Sequence, residues 1–167
     1  MKTQKITTKT LAYGAILIAL NIVITRLLSI NVGVVRIGFN FIPVVLGSYF
    51  FGPLIGAVLA VLADTLGMLM TGGLPWLGFT VSQALYGLSY GFFFYKRKKN
   101  TKAVIVCVVL QAIFIDAILG ALWYKLHAGA PFFASLGARS VDALVMIPIK
   151  IIVIKYMIKL VGDRIKI

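Results

Sequence analysis

Two polar side chains stand in long apolar surroundings: Asp64, within Val61-Leu-Ala-Asp-Thr-Leu-Gly67, and Gln83, within Gly78-Phe-Thr-Val-Ser-Gln83. An ionisable group is costly in such a segment unless it has a partner or a ligand. Asp64 is a two-oxygen acceptor suited to paired N–H donors, such as the amino edge of a pteridine or pyrimidine. Arg26, Arg36 and Arg139 are rigid donor forks suited to carboxylates or phosphates. Trp76, Phe79, Trp123 and Tyr124 offer ring faces for stacking. Together these residues describe a ligand with a planar amino-heterocycle at one end and anionic groups at the other.

Plainer roles stay open for each. Asp64 could pair with an arginine such as Arg26, and Arg139 with Asp142 at i, i+3 spacing. Gln83 could bridge two helices, and Trp123 and Tyr124 could be anchors at a membrane interface.

The elements that must position these residues follow from composition. The 167-residue chain is 61% hydrophobic and 13% charged, with a mean hydropathy of +1.04, which excludes an ordinary soluble globule. Residues 37–63 and 65–95 contain no Asp, Glu, Lys or Arg. Each run is long enough to cross a hydrocarbon layer of about 30 Å, and each carries Gly and Pro breaks. The expectation is an all-α integral membrane protein, one domain over 1–167, with six spans near 10–30, 39–52, 54–70, 78–95, 103–125 and 138–160. Residues 31–38 and 125–137 are expected to be outer loops, and 71–77 a gate over the site. The first apolar run has no small-residue cleavage site after it, so it reads as a retained span.

The net charge of +13 is not read as a nucleic-acid footprint, because of where it lies. Lys2, Lys5 and Lys9 precede the first span; Lys96, Arg97, Lys98, Lys99 and Lys102 cluster mid-chain; Lys155, Lys159, Arg164 and Lys166 close it. An even number of spans puts all three groups on one side. By the positive-inside rule that side is cytoplasmic, as are both termini. Asp64, Gln83 and the three arginines then fall in the outer half, while the inner half is nearly free of polar groups. This pattern describes a cup open to the outside rather than a continuous ion path.

Asp116 and Lys150 fall at similar depth on consecutive antiparallel spans and are expected to form a buried ion pair. His127 is expected to sit solvated in a loop, without the second ligand a metal site needs. The lone Cys107 is a packing residue, and no cofactor is expected. Ala15-Ile-Leu-Ile-Ala19 is a small-xxx-small pattern that admits a close helix partner.

Taken together, this helix 1 motif, Arg-Ile-Gly-Phe-Asn-Phe-Ile-Pro at 36–43, Ala-Asp-Thr-Leu-Gly at 63–67 and Gly-Phe-Thr at 78–80 resemble the substrate-binding S components of energy-coupling factor (ECF) vitamin transporters, most closely their folate-specific branch. The resemblance implies a multi-pass protein of the prokaryotic plasma membrane that captures folate outside. It further implies association with a transmembrane coupling (T) subunit, which Ala15 and Ala19 would face, and with two cytoplasmic ATPases. Delivery would follow by toppling of the whole S component in the bilayer. No Walker sequence occurs in the chain, which fits energy supplied by partners. An S component for thiamine, riboflavin or another vitamin, an ATPase-independent carrier, and an intramembrane enzyme are the competing readings; the last lacks a second carboxylate beside Asp64 and a nucleophile pair.

Overall fold

Apolar runs interrupted by Gly and Pro fold here into helices, and some of those breaks mark helix ends. The computed structural model describes residues 8–27, 30–32, 35–70, 72–73, 75–96 and 100–164. Its elements are α1 (Thr8–Leu27), β1 (Ile30–Val32), β2 (Val35–Ile37), α2 (Phe41–Leu69), α3 (Leu77–Phe94), α4 (Thr101–Ala128) and α5 (Phe132–Arg164). By length and apolarity, α2 and α4 each qualify to cross a bilayer.

The helix α2 is two arms in one. Gly52 takes φ +83° and Pro53 follows it, so the ladder breaks where an L-residue resists the conformation and the proline lacks an N–H. The far end of α2 closes with Gly72 at φ +71°. The Gly72 amide bonds the Leu69 carbonyl and the Gly73 amide that of Met68, both at 3.1 Å, a Schellman ending. Gly129 at φ +65° stops α4, and Pro131 precedes the start of α5. At the other end of α4 the Asn100 side chain accepts from the Lys102 amide at 2.9 Å, a cap for otherwise orphaned donors.

Within α4, residues Ala112–Leu119 form a π-helical segment. A wider turn of this kind rotates the residues it contains relative to an unbroken α-helix and recurs at functional sites. Here it contains Asp116.

Packing between α2 and α3 depends on absent side chains. A Cβ on Gly87 would stand 2.5 Å from the Ala57 Cα and from the Gly56 carbonyl oxygen, and Gly91 lies against Pro53; within α2, Gly56 lets the two arms meet at Ser48. Ser48 Oγ donates across this seam to the Gly87 carbonyl at 3.0 Å. Backbones held this close gain dispersion contacts that lipid cannot supply. Beyond the seam, a core joins Val45, Ala60, Tyr90, Phe94, Cys107, Val108 and Ile154.

Three expectations are corrected. Residues 31–38 do not form a plain loop: β1 and β2 pair as an antiparallel ribbon with Asn31 opposite Arg36. Its Val- and Ile-rich arms are strand formers, too short to announce themselves by alternation. The 125–137 loop shrinks to a few residues because α4 runs to Ala128 and α5 begins at Phe132. His127 therefore lies on α4, not in a loop. Finally, the region toward the 96–102 end is not nearly free of polar groups, since Ser48, Tyr90 and Gln111 are buried there.

Replacing Gly87 by Leu must push α3 off α2. It is expected to cost at least about 1–3 kcal/mol, read as a lowered melting temperature in detergent; an unchanged melt contradicts this account of the seam.

Candidate functional site

A cavity of about 360 Å³ opens among the helices, within the size range of small-molecule sites. Its wall is built from one stripe of each helix. Asn21, Ile22 and Thr25 come from α1, and Ala60, Ala63 and Asp64 from the second arm of α2. Gln83, Tyr86 and Tyr90 follow one another on α3 at the three- and four-residue steps of a single helical face. Asp142, Met146 and Lys150 do the same on α5, and Asp116 faces them from α4.

Local bonds fix several of these groups. Asn21 Nδ2 donates to the Asn40 carbonyl at 2.8 Å, tying α1 to the start of α2. Thr25 Oγ1 returns to the Asn21 carbonyl at 2.7 Å. The expected ion pair is present: Lys150 Nζ lies 3.1 Å from Asp116 Oδ2. The other carboxylate oxygen accepts from Tyr86 Oη, and the same ammonium sits 5.1 Å above the Tyr86 ring. Tyr86, Tyr90 and Phe94 stack in sequence along α3. Gln111 Nε2 donates to Ser89 Oγ at 2.5 Å, whereas Gln111 Oε1 and Tyr90 Oη are buried without a hydrogen-bond partner.

Of the residues anticipated from sequence, Asp64 and Gln83 line this cavity. The aromatic ones gather beside it instead. Trp76 packs edge-on to Trp123 at 5.5 Å and to Phe79 at 5.6 Å, and lies 5.4 Å from His127. Phe79 meets Tyr124 at 5.8 Å, and Trp123 Nε1 donates to Ser82 Oγ at 2.9 Å. Arg139 caps the group, 4.4 Å over the Tyr124 ring and 4.0 Å from Asp142. This cluster clasps the first turn of α3 to the last turns of α4. Gly78 allows it, because the Trp76 ring occupies the space a side chain there would need.

The side chains of Arg26 and Arg36 lie outside the described residues, as do Thr71 and Leu74 of the expected gate and most of the basic clusters. Sequence reasoning did not assign Asn21, Thr25, Asn40, Tyr86 or Tyr90 to the site. The spacing of Gln83, Tyr86 and Tyr90 on one face was the signal for the last two.

The family model for the ECF transporter substrate-specific component matches residues 9–160. This chain belongs to that family. It is therefore a transport component and not an enzyme. It is 36% identical over 156 residues to the folate transporter FolT of Clostridium novyi (strain NT), covering 93% of this chain and 90% of the relative. With the folate transporter FolT of Leuconostoc mesenteroides it shares 27% over 154 residues, 88% of this chain and 83% of the other. Among solved structures, a crystal structure of FolT bound with folic acid matches at a TM-score of 0.84 and 32% identity over 96% of each chain.

The ion pair yields a stability prediction. Asp116→Asn alone leaves the Lys150 ammonium buried without its carboxylate and is expected to cost about 3–5 kcal/mol, while Asp116→Asn with Lys150→Met recovers most of the loss. Thermal unfolding of the two variants in one detergent checks this; a double variant no more stable than Asp116→Asn contradicts it.

Proposed function

We propose that this chain is the folate-binding S component of an ECF transporter, embedded in the prokaryotic plasma membrane by six spans with both termini cytoplasmic. The observation that carries the reading is the match, across nearly the whole of both chains, to a FolT structure bound with folic acid, in a chain whose helices enclose a cavity lined by both polar and aromatic groups. The whole of 1–167 acts as one membrane domain, and its cup faces outward when ligand is captured.

In this reading Asp64 accepts from the amino edge of the pterin, and Gln83 supplies a further polar contact beside it. Arg139 takes a glutamate carboxylate, sharing that task with Arg26 and Arg36 from α1 and the ribbon. The rings of Trp76, Phe79, Trp123 and Tyr124, beside Arg139, shield the glutamate end of the cavity from water, and residues 71–77 act as a gate over bound vitamin.

Coupling follows from a different surface. Ala15 and Ala19 are exposed on α1, among Leu11, Ile16 and Leu20, which are exposed as well. A small-residue stripe on an apolar helix face is suited to a tightly packed helix of the T subunit. Two ATPases beneath that subunit supply the energy, and the S component topples to carry the cup inward.

Purified protein is expected to bind folate in preference to thiamine, riboflavin and biotin; preference for one of those three contradicts the assignment. Asp64→Asn is expected to weaken folate binding about 10- to 100-fold, the worth of a charge-assisted bond. Ala15→Trp should leave binding intact and abolish uptake in vesicles that contain the T subunit and ATPases. Full uptake by that variant contradicts the assigned coupling surface.

A further inference from the structure

Lys150 is 8% exposed and lies on the cavity wall. An ammonium carries three N–H donors. One is used on Asp116 Oδ2 at 3.1 Å, and one face of the group is covered by the Tyr86 ring at 5.1 Å. Among the described residues no second acceptor takes a Lys150 N–H. A buried donor without an acceptor is costly, so the cavity side of this ammonium calls for one.

The charge of the site narrows what fits. Asp116 offsets the Lys150 charge, and Tyr86 Oη occupies the second carboxylate oxygen. A neutral acceptor such as a ring carbonyl can meet the remaining ammonium donors, whereas an incoming carboxylate would also meet Asp116. Position agrees: Lys150 is eight residues beyond Asp142 on α5, roughly 12 Å further along the helix, away from Arg139.

We propose that Lys150, held in place by Asp116 and Tyr86, is the specificity residue at the deep end of the cavity and donates a hydrogen bond to the 4-oxo group of a bound pterin. This rests on the folate reading above. The buried heterocycle then presents its carbonyl to Lys150 and its amino edge to Asp64, with the glutamate tail pointing back toward Arg139. A ring with a 4-amino group in place of the carbonyl turns a donor toward the ammonium, and a site built around one hydrogen-bond polarity rejects the other.

The test compares dissociation constants of folic acid and its 4-amino analogue for purified wild-type protein and for Lys150→Met combined with Asp116→Asn, with melting temperature as the check on folding. Wild-type protein is expected to prefer folic acid by about 10- to 100-fold, and the double variant to lose that preference mainly through weaker folic acid binding. Lys150→Gln, which keeps a donor, is expected to retain part of it. A wild-type ratio near one, or a double variant that keeps the wild-type ratio, overturns the role given to Lys150. Wild-type protein that binds neither compound overturns the folate reading instead.

Discussion

A carboxylate and an ammonium buried together in an apolar bundle are the constraint around which the site is arranged. Neither Asp116 nor Lys150 is tolerable alone among the Ile, Val and Leu residues of α4 and α5, and the 3.1 Å pair they form fixes how those two helices face one another. Such pairs seldom add net stability over a well-packed apolar alternative. What this one contributes is register: it sets the face of α5 that carries Asp142, Met146 and Lys150, and the face of α4 turned toward them. The π-helical turn Ala112–Leu119 belongs to the same arrangement, since it decides where the Asp116 side chain points. Tyr86 extends the pair to α3, so three helices share one polar node.

Against this node stands a seam of the opposite kind. The second arm of α2 and α3 meet through Gly56, Gly87 and Gly91 with almost no side chain between them. That arm of α2 is therefore held to α3 by contact of backbones, and its Ala60, Ala63 and Asp64 line the cavity together with stripes of α1, α3 and α5. The cavity of about 360 Å³ has a polar lining of the kind that calls for water or a ligand as hydrogen-bond partner.

Much of the helix arrangement could be read from the chain because each break has a strong local cause. Gly52-Pro53 breaks α2 into two arms, and Gly72 and the basic run after Tyr95 end helices by backbone geometry or charge, whereas α4 runs past the expected end at 125 to stop at Gly129. The Asp116–Lys150 pair followed from depth alone, since two opposite charges in apolar helices have few other partners. The ribbon at 30–37 escaped because three-residue strands leave no periodic signature. The start of α5 was set too late because Gly137 reads as a break, yet a helix tolerates one glycine for about 1 kcal/mol. The clasp of Trp76, Phe79, Trp123 and Tyr124 was recognised as a group of rings but assigned to the cavity wall. Which way a helix is rotated about its axis decides that, and packing sets the rotation rather than residue type. The same ignorance of rotation hid Asn21, Thr25, Tyr86 and Tyr90.

What occupies the cavity enclosed by α1, α2, α3 and α5 decides the functional reading. A structure of this protein determined with folic acid tests that most directly. The expected result is the pterin ring enclosed by Asp64, Gln83 and Tyr86, with its glutamate directed to Arg139. Folic acid bound outside that cavity, with the Tyr86, Asp116 and Lys150 wall untouched, would contradict it.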